Sequence, residues 1–175
     1  MPQPQLAQIE SALADEFPVQ ALPPSDDAPL GQLAVALDPD EQGRDRAVYL
    51  LLVPPINDED LYGLQYFAPL PFSVSDQDLG DLARLILLIN TAVPLVGFGL
   101  SEENGMAFFR CILPAAQGRA LDPSEALHTL WMIFSLLDRF SETIEAVAMG
   151  QKDYRLAHKV VQDILSSLGE EAGEE

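Results

Sequence analysis

Apolar residues recur at helical spacing near the start of the chain, where Leu6, Ile9, Ala12 and Leu13 fall on one face between residues 4 and 16. Pro18 ends that pattern and opens a Pro-rich, acidic connector over residues 18–29. From Leu30 to Leu37 the pattern switches to alternation, with Leu33, Val35 and Leu37 set against Gln32, Ala34 and Ala36, which predicts a first strand. A turn over Asp38–Asp45 leads to Ala47–Val53, a continuous apolar run that predicts a well-buried second strand. Pro54, Pro55, Asn57 and Asp58 mark the next turn. Leu61–Phe67 predicts a third strand with Tyr62, Leu64 and Tyr66 on one face, closed by Pro69 and Pro71. Short turns between three strands give an antiparallel meander.

The second half alternates between the two periods. Ser75 and Asp78 form a capping pair, and Leu79, Leu82, Ala83 and Ile86 give the following helix an apolar face. Its end, Leu85–Ile89, is apolar all round and predicts burial on more than one side. Pro94 marks the exit. Leu95–Leu100 and Met106–Leu113 flank Glu102-Glu103-Asn104-Gly105, a hairpin signal because Asn-Gly suits the tight turn. Asp122-Pro123-Ser124-Glu125 is an N-terminal box for a long helix reaching Met149, with Gly150 as its stop. A last helix spans about Gln151–Leu168, with Ala157, Val161, Ile164 and Leu168 as its stripe, and an acidic tail follows from Gly169.

Composition narrows the partners. The 175 residues carry 28 acids against 9 Lys and Arg, a formal charge of −19, yet 48 % are hydrophobic, enough for a core. A chain so acidic is a poor binder of nucleic acid or of anionic membrane surfaces, both of which are held by Lys and Arg. The first twenty residues contain no base and no apolar run, so no secretory signal is expected. The least charged stretch, Leu85–Ser101, is broken by Asn90, Pro94, Gly97 and Gly99 and falls short of a roughly 20-residue span. One cysteine rules out an internal disulfide and fits a cytoplasmic protein.

The order of elements, with the block LILLINT, VGFGL, FFRCIL and WMIFSLLDRF between Leu85 and Gly150, resembles the YbjN-like family, whose fold is that of the class I type III secretion chaperones. The resemblance covers residues 4–149, and the connector and the helix after Gly150 depart from it. It implies an α+β domain of α-βββ-α-ββ-α order, with an antiparallel sheet of about five strands packed on helices, to which the residues after Gly150 add an extra C-terminal helix. On this division residues 1–150 are the family-like domain and residues 151–175 an appended helix and acidic tail. The resemblance also implies a homodimer that holds a protein or peptide client. The matching interface falls on the second helix and the strand after it, at Leu85, Leu88, Ile89, Val96 and Phe98.

Candidate chemistry is thin. Asp38, Asp40 and Gly43 match three positions of a calcium loop, but Arg44 and Arg46 fill two liganding positions and Tyr49 stands where a bidentate Glu is needed. Asp58, Glu59 and Asp60 read as a solvated turn. Gly97 and Gly99 lack the third glycine and the following base of a phosphate loop, so they read as a bulge or a close backbone approach. Gly99-Leu100-Ser101 is no nucleophile elbow, because position 103 is Glu. Cys111 sits in an apolar strand as a small hydrophobe, and His128 and His158 are the only candidate bases. No cofactor, no metal and no enzymatic activity are expected.

Apolar surplus carries more information. The long helix offers Leu127, Leu130, Trp131, Phe134 and Leu137 on one face, and Ile133, Leu136, Phe140 and Val147 on the next. One face fills the core; the second needs another helix or another chain. Lys152, Arg155 and Lys159 form the one basic face, near His158, for docking or for solvent. Function is therefore expected to be non-enzymatic: a dimeric chaperone-like or protein-binding module whose acidic surface favours basic client segments. The alternative is a small-molecule sensor with a pocket between sheet and helix, lined from Tyr62, Tyr66, Phe98, Phe108 and Trp131.

Overall fold

A computed structural model describes residues 2–26, 31–53, 61–75, 78–116 and 120–171. Four helices and six strands follow one another as α1 (Pro2–Leu13), β1 (Val19–Leu22), β2 (Gln32–Leu37), β3 (Arg46–Val53), β4 (Leu61–Ser73), α2 (Leu79–Ala92), β5 (Phe98–Ser101), β6 (Met106–Ala116), α3 (Pro123–Ala148) and α4 (Tyr154–Glu171). The strands make one sheet in the order β1-β2-β3-β4-β6-β5. The protein is thus α+β, with one strand more than the sequence pattern predicts. Residues Met1–Pro71 with Phe109–Phe134 form one compact unit, and Phe72–Phe108 with Ser135–Glu175 a second.

In the first unit the alternation of β2 continues across the sheet. Antiparallel register sets Val35 opposite Val48, Leu33 opposite Leu50 and Leu52 opposite Leu64, so the buried side chains share one face. Ile9 and Leu13 of α1 and Ala126, Leu130 and Ile133 of α3 are buried as well. A fully buried Leu or Ile contributes roughly 1.5–3 kcal/mol by leaving water. Tyr66 adds a polar anchor: its hydroxyl donates to the Ala126 carbonyl at 3.1 Å.

Three expectations change here. The connector is not without structure, since Val19–Leu22 pairs with β2 from Val19↔Val35 to Leu22↔Gln32. Four residues between Pro18 and Pro23 suit an edge strand, where missing donors do no harm. β3 is not buried all round: Val48, Leu50 and Leu52 are inside, while Tyr49, Leu51 and Val53 are half-buried on the other face. β4 runs on through Pro69 and Pro71 to Ser73. Both prolines lie beyond Gly63–Phe67, the stretch in register with β3, so that ladder loses no N–H to them. Tyr62 and the turn at Pro54–Asp60 lie outside the residues whose side chains are described.

In the second unit α2 begins at Leu79, with Asp78 as N-cap and no side-chain capping bond. Ser75 does not start it: the Asp78 N–H donates to the Ser75 carbonyl at 3.1 Å in a turn ahead of the helix, and the Ser75 N–H donates to the Ala148 carbonyl at 3.3 Å. Leu82, Leu85, Ile86 and Ile89 form the buried face of α2. The expected all-round burial fails at Leu87, which is 66 % exposed. On α3, Leu136, Phe140, Ile144 and Val147 are all buried, so the second apolar face is covered within the chain. α3 ends in a Schellman motif: Gly150, at φ +66°, donates to Val147 and Gln151 to Ala146, at 3.0 and 2.8 Å. α4 packs on α2 through buried Ala157 and Val161, with Ile164 half-buried, and its helix extends through Gly169 to Glu171, where an acidic tail is predicted. Leu168 lies outside the described side chains.

Candidate functional site

Cys111, His158 and Asp40 are engaged structurally, and His128 is exposed. Cys111 is half-buried on β6, and burial pushes its thiol up to about 11, so at neutral pH it is a protonated, weak nucleophile. His128 is exposed on α3, and His158 packs edge-on to Tyr154 with centroids 5.7 Å apart. At the would-be calcium loop, Asp40 Oδ1 accepts the N–H groups of Gln42 and Arg44 at 3.0 and 2.9 Å, and Oδ2 accepts Arg44 Nε at 2.6 Å. Partial burial raises this carboxyl, while the hydrogen bonds and charge of Arg44 and the Gln42 N–H bring it below its ordinary range. The carboxylate holds the turn together rather than a cation. Among the described residues no three His, Cys, Asp or Glu side chains gather where a metal could sit. Asp58, Glu59 and Asp60 lie outside the described residues. Among the described residues no helix is long and apolar enough to cross a membrane.

The five expected interface residues do not share a surface. Leu85 and Ile89 are fully buried and Phe98 nearly so, its ring meeting Phe140 edge-on at 6.1 Å. Leu88 is half-buried, and Val96 is 58 % exposed. An apolar run at the end of a helix does not tell which residues face inward; the helical phase set by Leu82 and Ile86 does. The α4 bases Arg155 and Lys159 are exposed and Lys152 is half-buried. Tyr154, at the start of α4, adds polar contacts to α2: its N–H donates to Asp81 Oδ2 at 2.9 Å and its ring lies 4.0 Å from Arg84 Cζ.

Another surface emerges on the sheet. The strands contain no Asp or Glu: all 28 acids lie elsewhere in the chain. In the first unit the face opposite the core presents Ala34, Tyr49, Leu51, Val53, Phe67 and Pro69, all half-buried, with Gln32 and Gln65 paired on either side of Leu51, and Ile112, 45 % exposed, with the exposed Arg110 two residues away on β6. At about 4.8 Å between strands and 3.3 Å per residue, such a face measures roughly 400 Å² in projection. The largest apolar patch on a monomer is typically about 300–600 Å² and is often functional. The sheet edges are blunter. β1 is four residues between prolines, and Asn90 spans the Phe98 backbone on β5, donating to its carbonyl at 2.8 Å and accepting its N–H at 3.2 Å. Asn90 thus has a definite task that its place in an apolar run does not reveal.

A cleft opens in the first unit beside this edge. It has a volume of about 130 Å³, and Phe17, Trp131 and Phe134 line it together with Glu16 and Asp38. Trp131, expected on a core-facing stripe, is 42 % exposed instead. Its Nε1–H donates to Glu16 Oε2 at 2.7 Å, and its ring meets Phe17 and Phe134 at 4.8 and 5.6 Å between centroids. The volume is well below the roughly 300 Å³ at which metabolite pockets begin. Of the aromatics considered for a sensor pocket, Tyr66 and Phe98 are core, Phe108 is half-buried and only Trp131 lines the cleft. No family model matches the chain, and no curated protein matches it.

Proposed function

We propose that this protein is a non-enzymatic, dimeric chaperone-like module that binds a peptide or a segment of a partner protein. The observation that supports it best is the acid-free apolar face of the sheet on a chain of charge −19. Like-charge repulsion opposes the meeting of two such chains, or of this chain with an acidic partner, wherever acids line the surface. A face without acids permits contact, and apolar area supplies the driving force. The blunted edges favour binding on the face over the addition of a strand.

Sedimentation velocity over a hundredfold concentration range, together with affinity capture, tests the reading. Concentration-dependent association and retained protein support it. Ile112→Glu places a charge at an exposed position of the face and should abolish both. A strict monomer that captures nothing overturns the reading.

A further inference from the structure

The cleft beside Trp131 has the chemistry of a cation site, and we propose that it receives an arginine side chain from a basic segment of the partner. The inference rests on the protein-binding reading above and names one contact within it. Three aromatic rings, Phe17, Trp131 and Phe134, converge on a space of about 130 Å³, and two carboxylates, Glu16 and Asp38, line the same space. Aromatic faces attract cations through their quadrupole, and carboxylates add direct charge and hydrogen-bond acceptors. Neither group alone selects a ligand. Together they suit a cation that is flat, apolar on its faces and rich in donors on its rim, which is a guanidinium.

The molecule already uses this pairing once. Arg46 places its guanidinium carbon 5.5 Å from the centre of the Phe134 ring, and its Nε donates to the Asp38 carbonyl at 2.8 Å. That contact shows the ring accepting a guanidinium from within the chain. Among the described residues Arg46 is the base nearest the Phe134 side of the cleft, while both acids, Glu16 and Asp38, line it. Glu16 is held by Trp131 through Oε2 at 2.7 Å. A volume of about 130 Å³ suits a side-chain head and not a folded element, so the partner contributes a protruding residue. Lysine carries the charge but lacks the flat, weakly hydrated surface, and ranks second.

Trp131 is the only tryptophan, which makes its fluorescence a report from the site itself. The full chain is titrated with acetylated, amidated hexa-arginine, hexalysine and hexaglutamate. The expected result is a saturable change with hexa-arginine, at least 3-fold weaker binding of hexalysine, and no response to hexaglutamate. Glu16→Gln and Asp38→Asn should each weaken hexa-arginine binding at least 5-fold. Both positions are exposed, and circular dichroism confirms that the variants fold. A control variant, Glu102→Gln with Glu103→Gln on the β5–β6 turn, removes more charge and should change affinity less than 2-fold. Equal losses in the control and the site variants, equal binding of the two basic peptides, or a silent Trp131 would each overturn the proposal. Loss of partner capture while hexa-arginine still titrates Trp131 would overturn the protein-binding reading instead and leave the cleft standing.

Discussion

Burial gives Cys111 and Tyr66 a shared consequence for stability. Burial raises the Tyr66 hydroxyl far above its ordinary value, reinforced by the neighbouring Cys111 and opposed by a bond with Thr129. Burial likewise lifts the Cys111 thiol from 9.0 to about 11. In both cases the folded state holds its proton more tightly than the unfolded chain does. Their contribution is therefore complete below the unfolded value and is lost as pH rises through the folded one. For Cys111 that window runs from pH 9 to about 11. Urea midpoints should be level between pH 7 and 8.5 and fall across that window. Cys111→Ala should keep about 1 kcal/mol more of its neutral stability at pH 10.5 than the parent does, after allowance for solvent screening of a half-buried thiol. Equal loss in parent and variant would show that the thiol is not a source of the effect.

At the scale of elements, close approach of the β5–β6 hairpin sets a second test. A Cβ on Gly99 would stand 2.6 Å from Cε2 and Cζ of the Phe108 ring, which lies across the glycine from the neighbouring strand. At Gly99 the close approach read from Gly97 and Gly99 is that of an aromatic ring onto the glycine rather than of another backbone. Gly99→Ala must push the ring aside and should cost about 1–3 kcal/mol in chemical denaturation. Adding Phe108→Leu should restore part of that loss, because a smaller side chain vacates the space; an additive double variant would refute the steric account. The same hairpin was legible because its signal is local: Asn104-Gly105 sits at the turn, with Gly105 donating to Glu102 at 3.2 Å. The start of α3 was legible for the same reason, since Asp122 accepts the Ser124 N–H at 2.9 Å. What escaped depends on distant pairing. β1 is four residues whose strand character comes from β2, and Ser75 looks like a cap although α2 starts at Leu79 and the Ser75 backbone N–H pairs with the distant Ala148. The cleft escaped altogether, because Glu16 and Trp131 meet across 115 residues and no local pattern records that.

For the whole molecule, charge and fold divide the chain between them: the strands hold the sheet and the remaining segments hold every acid. Low β-propensity of Asp and Glu accounts for part of this partition. Its consequence is that a net charge of −19 acts on stability and on binding with opposite responses to salt. Repulsion among acids disfavours the compact state, and the Debye length shrinks from about 30 Å at 0.01 M to about 8 Å at 0.15 M. Added salt should therefore raise Tm, by several degrees between 10 and 300 mM on the order of magnitude of 1 kcal/mol. Sodium and potassium chloride should act alike, because the effect is screening rather than ion binding at a site. An arginine contact at Glu16 and Asp38 has the reverse dependence, since screening weakens attraction between opposite charges. Differential scanning fluorimetry and hexa-arginine titration in one salt series should give curves of opposite slope. A Tm that stays flat or falls with salt would mean that the acids are spaced widely enough for repulsion not to matter, and the stability half of this account would fail.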